Sequence, residues 1–362
     1  MVSLLTFAIL LFGSWQEQAA GAHPLPLSSA EISALRTKAE AGDPSAQFAL
    51  GQAYDYGDGV EQSDKSACSW YRRAAEQGFA PAQNSLGVMY RSGRGVEQSK
   101  EQAVQWYRNA AKQKNAKAMF NLGTAYYNGD GAAIDDIAAY AWFLLATEQG
   151  SEAAHDAVNR MSGSLLRWQV SSAFEAVGDI YERGVDFPQD HHAAIEWYRK
   201  AAQLGEAPIR VKLAKYLLDQ PEPHDYPEAL HWCEEAGKQM YSPGALCAGL
   251  LYEKGIGTAP DLQEAVKWFN KSAQLGNAQA MLRLGEMYWS GLGVQQDKVS
   301  AYAFVFLAST ADLHDALQDK ATYERALSSK ELEKARNQAT KWVKEHPTLG
   351  LKQKTPPSPS QQ

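Results

Sequence analysis

Three cysteines are the first residues in this chain whose type and spacing could do chemistry. Cys68, Cys233 and Cys247 are an odd number and show no C-x-x-C spacing, so neither a zinc knuckle nor a thioredoxin motif is present. Cys233 and Cys247 each lie a few residues from a turn near Pro243 that should connect two antiparallel helices. In an oxidising compartment they could form a disulfide, although two small buried thiols would fit the same positions. Cys68 is expected to be a lone buried thiol.

Four histidines form a second group that could do chemistry. His191, His192 and His224 are predicted to lie in loops between paired helices, and His231 stands beside Trp232. Neutral imidazoles are good Zn²⁺ ligands. No fixed spacing links these residues, however, so polar loop residues are the favoured interpretation. We predict no metal and no other cofactor.

Motifs of known catalytic sites do not occur in this sequence. It contains no S-x-x-K, no G-x-S-x-G, no H-E-x-x-H and no P-loop. We therefore predict that the protein is not an enzyme and has no catalytic residues. The net charge of −7 also argues against nucleic acid as a partner, because phosphate binding needs a basic face.

A glycine, a tyrosine and a tryptophan recur in register at a period of roughly 36 residues. One weaker repeat has Lys215 in the glycine position and another has Phe304 in the tryptophan position. Glycine inside a helix costs about 1 kcal/mol relative to alanine, so its repeated use indicates close approach of a second helix. The glycine and the tyrosine three residues later are Gly51 and Tyr54, Gly87 and Tyr90, Gly123 and Tyr126, Gly178 and Tyr181, Gly249 and Tyr252, and Gly285 and Tyr288.

This spacing predicts a pair of helices, A and B, in each repeat. In the first repeat, helix A should end at Gly57-x-Gly59, because glycine tolerates the left-handed conformation, and Asp64 should cap helix B. Helix B should bury Trp70 and Tyr71, and Trp106 in the next repeat is likewise predicted to be a core residue. One pair cannot bury its apolar face alone, so the repeats must stack.

These residues resemble the Sel-1-like repeat family, which is related to the tetratricopeptide repeats. The motif A-x-x-x-L-G-x-x-Y-x-x-G-x-G-V…A-x-x-W-x-x-x-A-A-x-x-G is met closely at 46–78 and 82–113 and well at 173–205 and 280–309. The repeat at 210–237 lacks the G-x-G turn. The resemblance implies an all-α, right-handed α-solenoid of about seven helix–turn–helix repeats that serves as a protein-binding scaffold. Some Cys-rich relatives carry a β-lactamase label, which makes hydrolase activity a remote alternative.

The sequence predicts five segments. Residues 1–22 have an apolar core and end in Ala20-Gly21-Ala22, as a signal peptide does. We therefore predict export, to the periplasm or the medium of a bacterium. Residues 23–27 would be a linker, 28–161 a first sub-array of three repeats, 162–346 a second sub-array of four repeats with a capping helix, and 347–362 a disordered tail rich in Pro, Ser and Gln.

By analogy with tetratricopeptide solenoids, a partner should bind the concave groove lined by the A helices. The positions six and three residues before the recurrent glycine, and one and four residues after it, should face this groove, and we call the last two groove slots. In the second sub-array they are mainly acidic or aromatic, with Lys212 as a cation nearby, so a basic protein or peptide is the expected partner. An envelope polysaccharide or peptidoglycan is the alternative ligand. The predicted binding residues are Asp179, Glu182, Lys212, Tyr216, Asp219, Glu253, Glu286 and Trp289.

Overall fold

The computed structural model describes residues 26–184, 187–219, 225–311 and 313–346, and in these ranges the chain forms 18 α-helices and no strand. The predicted signal peptide, most of the linker and the predicted tail lie outside the described residues. The helices are α1 (Ser29–Glu40), α2 (Pro44–Tyr56), α3 (Asp64–Glu76), α4 (Ala80–Ser92), α5 (Lys100–Ala111), α6 (Ala116–Asn128), α7 (Asp136–Glu148), α8 (Glu152–Ser162), α9 (Arg167–Arg183), α10 (His191–Leu204), α11 (Ala207–Asp219), α12 (Tyr226–Lys238), α13 (Ser242–Lys254), α14 (Leu262–Gln274), α15 (Ala278–Ser290), α16 (Lys298–Ser309), α17 (His314–Ala326) and α18 (Ser329–Glu345).

Seven helix pairs build a solenoid of helical repeats, as predicted. The A and B helices of each repeat are α2 and α3, α4 and α5, α6 and α7, α9 and α10, α11 and α12, α13 and α14, and α15 and α16. Helix α1 precedes the first pair, α8 separates the third pair from the fourth, and α17 and α18 follow the last. None of the described helices is long and apolar enough to cross a membrane.

The described residues group into two compact units. The first unit runs to Trp197 and the second begins at Tyr198, so the division falls inside α10. The predicted boundary between the sub-arrays, at residues 161 and 162, lies at the end of α8 and stays a prediction.

Short polar residues and glycines set the helix ends. Helix α2 ends at Gly57, whose φ of 74° is left-handed, as the sequence predicted. The predicted cap of α3 is wrong by one residue. Ser63 is the N-cap, and its Oγ accepts a hydrogen bond from the Ser66 backbone N–H at 3.2 Å, whereas Asp64 is the first helical residue.

The recurrent glycines bring helices A and B into direct contact, which confirms the reason proposed for them. A Cβ atom on Gly51 would lie 2.6 Å from the Tyr71 ring, and one on Gly123 would lie 2.7 Å from the Phe143 ring. Any side chain larger than hydrogen would therefore overlap the facing ring.

The ring that meets the glycine in each of the first three repeats follows the repeat tryptophan by one position. Tyr71 and Tyr107 are fully buried, whereas Trp70 and Trp106 are half-buried. The prediction that Trp70 and Trp106 are buried core residues is thus wrong for the first two repeats. Neighbouring residues point about 100° apart around a helix, and here the following residue faces helix A.

The recurrent tyrosine of several A helices is hydrogen-bonded to an earlier helix. Arg36 donates to the Tyr54 hydroxyl at 3.0 Å, and Arg108 donates to the Tyr126 hydroxyl at 2.7 Å. Tyr252 is instead the donor, to Glu234 at 2.6 Å. In these repeats the tyrosine ties helix A to an earlier helix and is not an open binding platform.

Two groups of four helices share the same spacing. Residues 116–183, the internal block, contain α6 to α9, and residues 278–345, the terminal block, contain α15 to α18. Corresponding helices begin at equivalent positions, and the last helix of each block has 17 residues. In each block the fourth helix packs on the second.

Candidate functional site

The groove slots of the first three repeats contain polar and apolar residues without a common charge. Five of the six are half-buried, and the exception is Asp55, which is 9% exposed. These slots therefore reach the surface while the neighbouring glycines and leucines fill the core. The six residues are Gln52, Asp55, Val88, Arg91, Thr124 and Tyr127.

Asp55 belongs to a closed polar network between the first and second repeats. Its Oδ2 accepts a hydrogen bond from the Tyr71 hydroxyl at 3.1 Å, and its Oδ1 pairs with Arg94 Nη1 at 2.8 Å. Arg94 also lies 3.3 Å from Asp64. Burial and the Asp55 carboxylate raise the pKa of Tyr71, so its hydroxyl stays a donor. Asp55 thus has a structural role and is not free to bind a ligand.

One repeat later, every charge of this network is inverted. Arg91 takes the position of Asp55, Asp130 that of Arg94 and Lys100 that of Asp64, while Tyr107 takes the position of Tyr71. Lys100 Nζ pairs with Asp130 Oδ1 at 2.6 Å. Arg91 forms no ion pair with any residue that the structure describes.

The predicted binding residues of the fourth repeat lie on α9. Asp179 and Glu182 are both half-buried, and Asp179 accepts from Arg183 Nη2 at 3.3 Å. The backbone carbonyl of Glu182 accepts from the Gln189 side chain at 2.8 Å. Part of the negative charge predicted here is thus balanced by a neighbouring guanidinium.

On α11 the structure places the predicted residues in different surroundings. Tyr216 is only 9% exposed and packs edge-to-face on Tyr198, with 5.3 Å between ring centroids. The Lys212 ammonium lies 4.9 Å from the centre of the same ring. Asp219 is exposed at the end of the helix. Tyr216 therefore serves mainly in packing.

Glu253 and Glu286 lie near one guanidinium that sequence analysis did not single out. Arg283 Nη1 binds Glu286 Oε2 at 2.9 Å, and the charges of Glu253 and Asp315 also act on Arg283. Burial raises the pKa of Glu286, and Asp319 and Glu253 act in the same direction, while Arg283 opposes them. This part of the second unit carries more carboxylates than cations.

Trp289 is covered by the helix that follows the last repeat. Its ring stacks on Tyr323 of α17 with 3.8 Å between centroids and 4° between planes, and the Lys298 ammonium lies 5.2 Å from it. Tyr323 is itself buried. The ring therefore makes intramolecular contacts in a position where the sequence suggested an open surface.

A disulfide joins Cys233 and Cys247 and so connects α12 to α13, with 5.6 Å between their Cα atoms. Cys68 is a free, buried thiol, and burial raises its pKa. His191 and His192 are exposed at the start of α10, while His224 lies outside the described residues. Among the residues that the structure describes, no group of three or more His, Cys, Asp and Glu could hold a metal ion.

Two cations that bind groove-slot carboxylates, Arg94 in the first unit and Arg283 in the second, were missed by the sequence analysis. Arg94 lies in the turn after α4 and Arg283 lies two residues before Gly285, so neither occupies a groove slot. A comparison of charges at equal positions in successive repeats would have found the Arg94 network, because Asp55, Asp64 and Arg94 all change sign in the next repeat.

Comparison with known proteins relates the chain to repeat proteins of bacteria and fungi. Chitin synthase regulator SKT5 of Malassezia restricta is 30% identical over 158 residues, which is 40% of this chain and 11% of that protein. Sel1-repeat-containing protein YjcO of Escherichia coli K12 is 32% identical over 114 residues, 30% of this chain and 45% of that protein. The chain thus spans less than half the length of either relative.

Among solved structures, the crystal structure of c5321 is similar. That protein is a protective antigen of uropathogenic Escherichia coli with an SLR fold. The match covers 87% of this chain and 72% of that chain, with 28% identity and a TM-score of 0.44.

The Sel1 repeat family model matches seven segments of the chain. They are residues 44–79, 80–115, 116–151, 175–206, 211–239, 245–277 and 278–313. Each segment overlaps both helices of one of the seven pairs, and the family is a repeat scaffold that typically mediates protein interactions. The chain belongs to the Sel1 repeat family.

Proposed function

We propose that this protein is an exported, non-enzymatic scaffold that binds a protein or peptide partner through the groove slots of its A helices. The observation that carries the proposal is the contrast between two kinds of position. The glycine positions and the rings facing them are repeated because packing demands them. Most groove slots are half-buried or exposed, with Asp55 and Tyr216 as buried exceptions, and their residue types differ from repeat to repeat.

Charge supports a basic partner for the second unit. The charges of Glu253, Glu286 and Asp315 act on Arg283, and that of Asp319 acts on Glu286, so carboxylates outnumber cations in this region. Unbalanced, half-buried carboxylates attract a basic partner and raise its rate of association. Asp219 adds an exposed carboxylate at the end of α11.

The relatives support action through another protein. The Malassezia restricta relative is named a chitin synthase regulator, a role that fits a scaffold acting on another protein. Repeat solenoids provide extended surfaces for such contacts.

Two features support export. Residues 1–22 have the composition of a signal peptide. The disulfide between Cys233 and Cys247 is a bond that persists in oxidising compartments and is rare in the cytosol. Sequencing the amino terminus of the native protein tests this part, because processing predicts His23 as the first residue, whereas a chain that starts at Met1 or Val2 contradicts it.

The alternative partner is a glycan of the cell envelope, which would stack on open aromatic rings. Tyr127 is a half-buried groove residue that could serve in this way, but the Trp289 ring is already stacked on Tyr323. The geometry therefore supports a protein partner better than a sugar.

The experiment is capture of partners by the immobilised mature chain, at about 50 mM and about 500 mM salt. Screening lengths shorten from roughly 14 to roughly 4 Å over this range, so a basic protein partner should be retained at low salt and lost at high salt. Retention of peptidoglycan or polysaccharide at both salt concentrations, without a protein, would support the glycan alternative and overturn the proposal.

A further inference from the structure

We propose that Arg91 and Tyr107 form a subsite in the first unit that binds a carboxylate group of a peptide ligand. The subsite lies between α4 and α5 of the second repeat, and its ligand is an Asp or Glu side chain or a free C-terminus. The inference rests on the proposed function, because it names one chemical group that the groove recognises.

The first repeat shows how such a carboxylate would be held. There the carboxylate of Asp55 bridges two donors, the Tyr71 hydroxyl at 3.1 Å and the Arg94 guanidinium at 2.8 Å. Asp55 reaches this position from a groove slot of helix A. The protein thus contains its own example of a carboxylate bound between a buried tyrosine and an arginine.

In the second repeat the tyrosine is kept, an arginine takes the place of the carboxylate, and no described carboxylate binds either of them. Tyr107 is 0% exposed, and its hydroxyl has no hydrogen-bond partner among the described residues. Arg91 holds the groove slot of Asp55, and its charge acts on the Tyr107 hydroxyl. Asp130, which takes the position of Arg94, is paired with Lys100 at 2.6 Å and binds neither Arg91 nor Tyr107.

Both side chains suit a carboxylate chemically. Burial raises the pKa of Tyr107 to about 12, so the hydroxyl is protonated at neutral pH and has a proton to donate. The planar guanidinium of Arg91 can bind both oxygens of a carboxylate. Because Arg91 is half-buried in a groove slot and Tyr107 is 0% exposed, a ligand meets the guanidinium first, and binding the hydroxyl requires a side-chain movement that uncovers it.

Packing alone does not require the Tyr107 hydroxyl. In the third repeat the same position is Phe143, whose ring meets Gly123 just as the Tyr107 ring meets Gly87. A buried hydroxyl without a partner destabilises a fold. The hydroxyl is therefore better explained by a group that it binds than by the core that surrounds it.

The test is an NMR titration of the full chain with sodium acetate, with sodium chloride at equal ionic strength as the reference. The resonance of the Arg91 side-chain Nε–H should shift in a saturable way with acetate. The Arg94 resonance should not shift, since Asp55 already occupies its guanidinium. Tyr107→Phe should weaken acetate binding about tenfold, the effect of losing one hydrogen bond to a charged group.

A second variant rebuilds the closed network of the first repeat. The triple change Arg91→Asp, Lys100→Asp and Asp130→Arg places an internal carboxylate on Tyr107, so the variant should fold, as circular dichroism would show, and lose the acetate response. Equal shifts of Arg91 and Arg94, or acetate affinity unchanged in Tyr107→Phe, would overturn the proposal.

The outcome separates the subsite from the general function. The acetate titration reads the subsite even if no partner is captured. If a partner is captured and binds Arg91→Gln as tightly as the wild-type protein, the scaffold function stands and the subsite is wrong.

Discussion

The internal and terminal blocks show how one arrangement of helices can either continue a repeat array or end it. Both contain four helices at the same spacing. In the internal block the fourth helix, α9, carries Gly178 and Tyr181 and begins a new repeat. In the terminal block the equivalent positions on α18 are Thr340 and Val343.

The contacts of these fourth helices differ accordingly. In the internal block Tyr181 donates to Glu148 at 2.8 Å, and Trp197 of the next helix donates to the same carboxylate at 3.1 Å. In the terminal block the Trp342 ring packs against Phe304, with 5.8 Å between centroids. The fourth helix of the internal block shares a contact with the helix B that follows it, whereas the fourth helix of the terminal block covers the core.

The two blocks differ more at positions on the groove side of their helices than at positions that pack helix A against helix B. Thr124, Ala157 and Met161 of the internal block correspond to Glu286, Asp319 and Tyr323 of the terminal block. Gly123 and Gly285, by contrast, are kept, and each meets the helix B that follows it. Packing fixes some positions of a repeat and leaves others free to acquire charge, which is where binding specificity can arise.

The largest expected effect concerns the tryptophan position of the two blocks. Trp142 is 5% exposed, so Trp142→Ala should lower the free energy of unfolding by about 3–5 kcal/mol. Trp142→Phe should cost less than about 1.5 kcal/mol, because Phe304 fills this position in the terminal block. Urea denaturation of both variants measures the difference.

Trp106→Ala serves as the graded control. Because Trp106 is half-buried, its loss should cost less than that of Trp142. Equal losses in Trp106→Ala and Trp142→Ala would show that burial does not determine the role of this position.

The second effect concerns the glycine position. Gly123→Val should cost about 1–3 kcal/mol, since even a Cβ atom would lie 2.7 Å from the Phe143 ring. Thr340→Val in the equivalent, exposed position of α18 should change stability by less than about 0.5 kcal/mol. If thermal unfolding shows similar losses for both variants, the two fourth helices do not differ in the way described.

The smallest expected effect is a pH dependence of stability that arises from Glu286 in the terminal block. Burial raises the pKa of Glu286 above its ordinary 4.5, so the folded state holds this proton more tightly than the unfolded state. Its contribution to stability is therefore complete below pH 4.5 and is lost as the pH rises through the folded-state pKa. Glu286→Gln should raise the Tm at pH 7, and this gain should vanish in acid.

Glu331 provides a control of opposite sign on α18. Its hydrogen bonds with Ser328 at the helix start lower its pKa, so Glu331→Gln should lower the Tm at pH 7 and have little effect in acid. Melting curves of both variants across the pH range would contradict this account if the two trends had the same sign.

The fold was predictable because the residues that define the repeat motif are also the residues that pack its two helices together. The spacing of Gly51, Tyr54 and Trp70 fixes two helices and their contact, and seven copies leave little freedom. What failed was local: Ser63 caps α3 in place of Asp64, since both residues can accept first-turn hydrogen bonds. The fully buried ring is Tyr71 and not Trp70, because hydrophobicity does not reveal which of two adjacent aromatic residues faces inwards.

The candidate site was less predictable than the fold. Groove slots follow from helix geometry, so Glu182 and Glu253 were placed correctly on their A helices. Contacts with later parts of the chain could not be derived from the repeat period, and Tyr323 stacking on Trp289 is such a contact. The Arg94 network was missed as well, because it links residues of different repeats and lies partly outside the groove slots.

The measurement that tests the central claim most directly is the affinity of a captured partner for the double variant Glu182→Lys with Glu253→Lys, at about 50 mM salt, where screening is weak. Glu333→Lys, which changes an exposed residue of α18, is the control for charge. If the groove slots bind the partner and the glycine positions serve only in packing, the double variant should fold normally and bind the partner at least tenfold more weakly. The Glu333→Lys control should bind the partner as tightly as the wild-type protein does. A folded double variant with wild-type affinity would contradict the account.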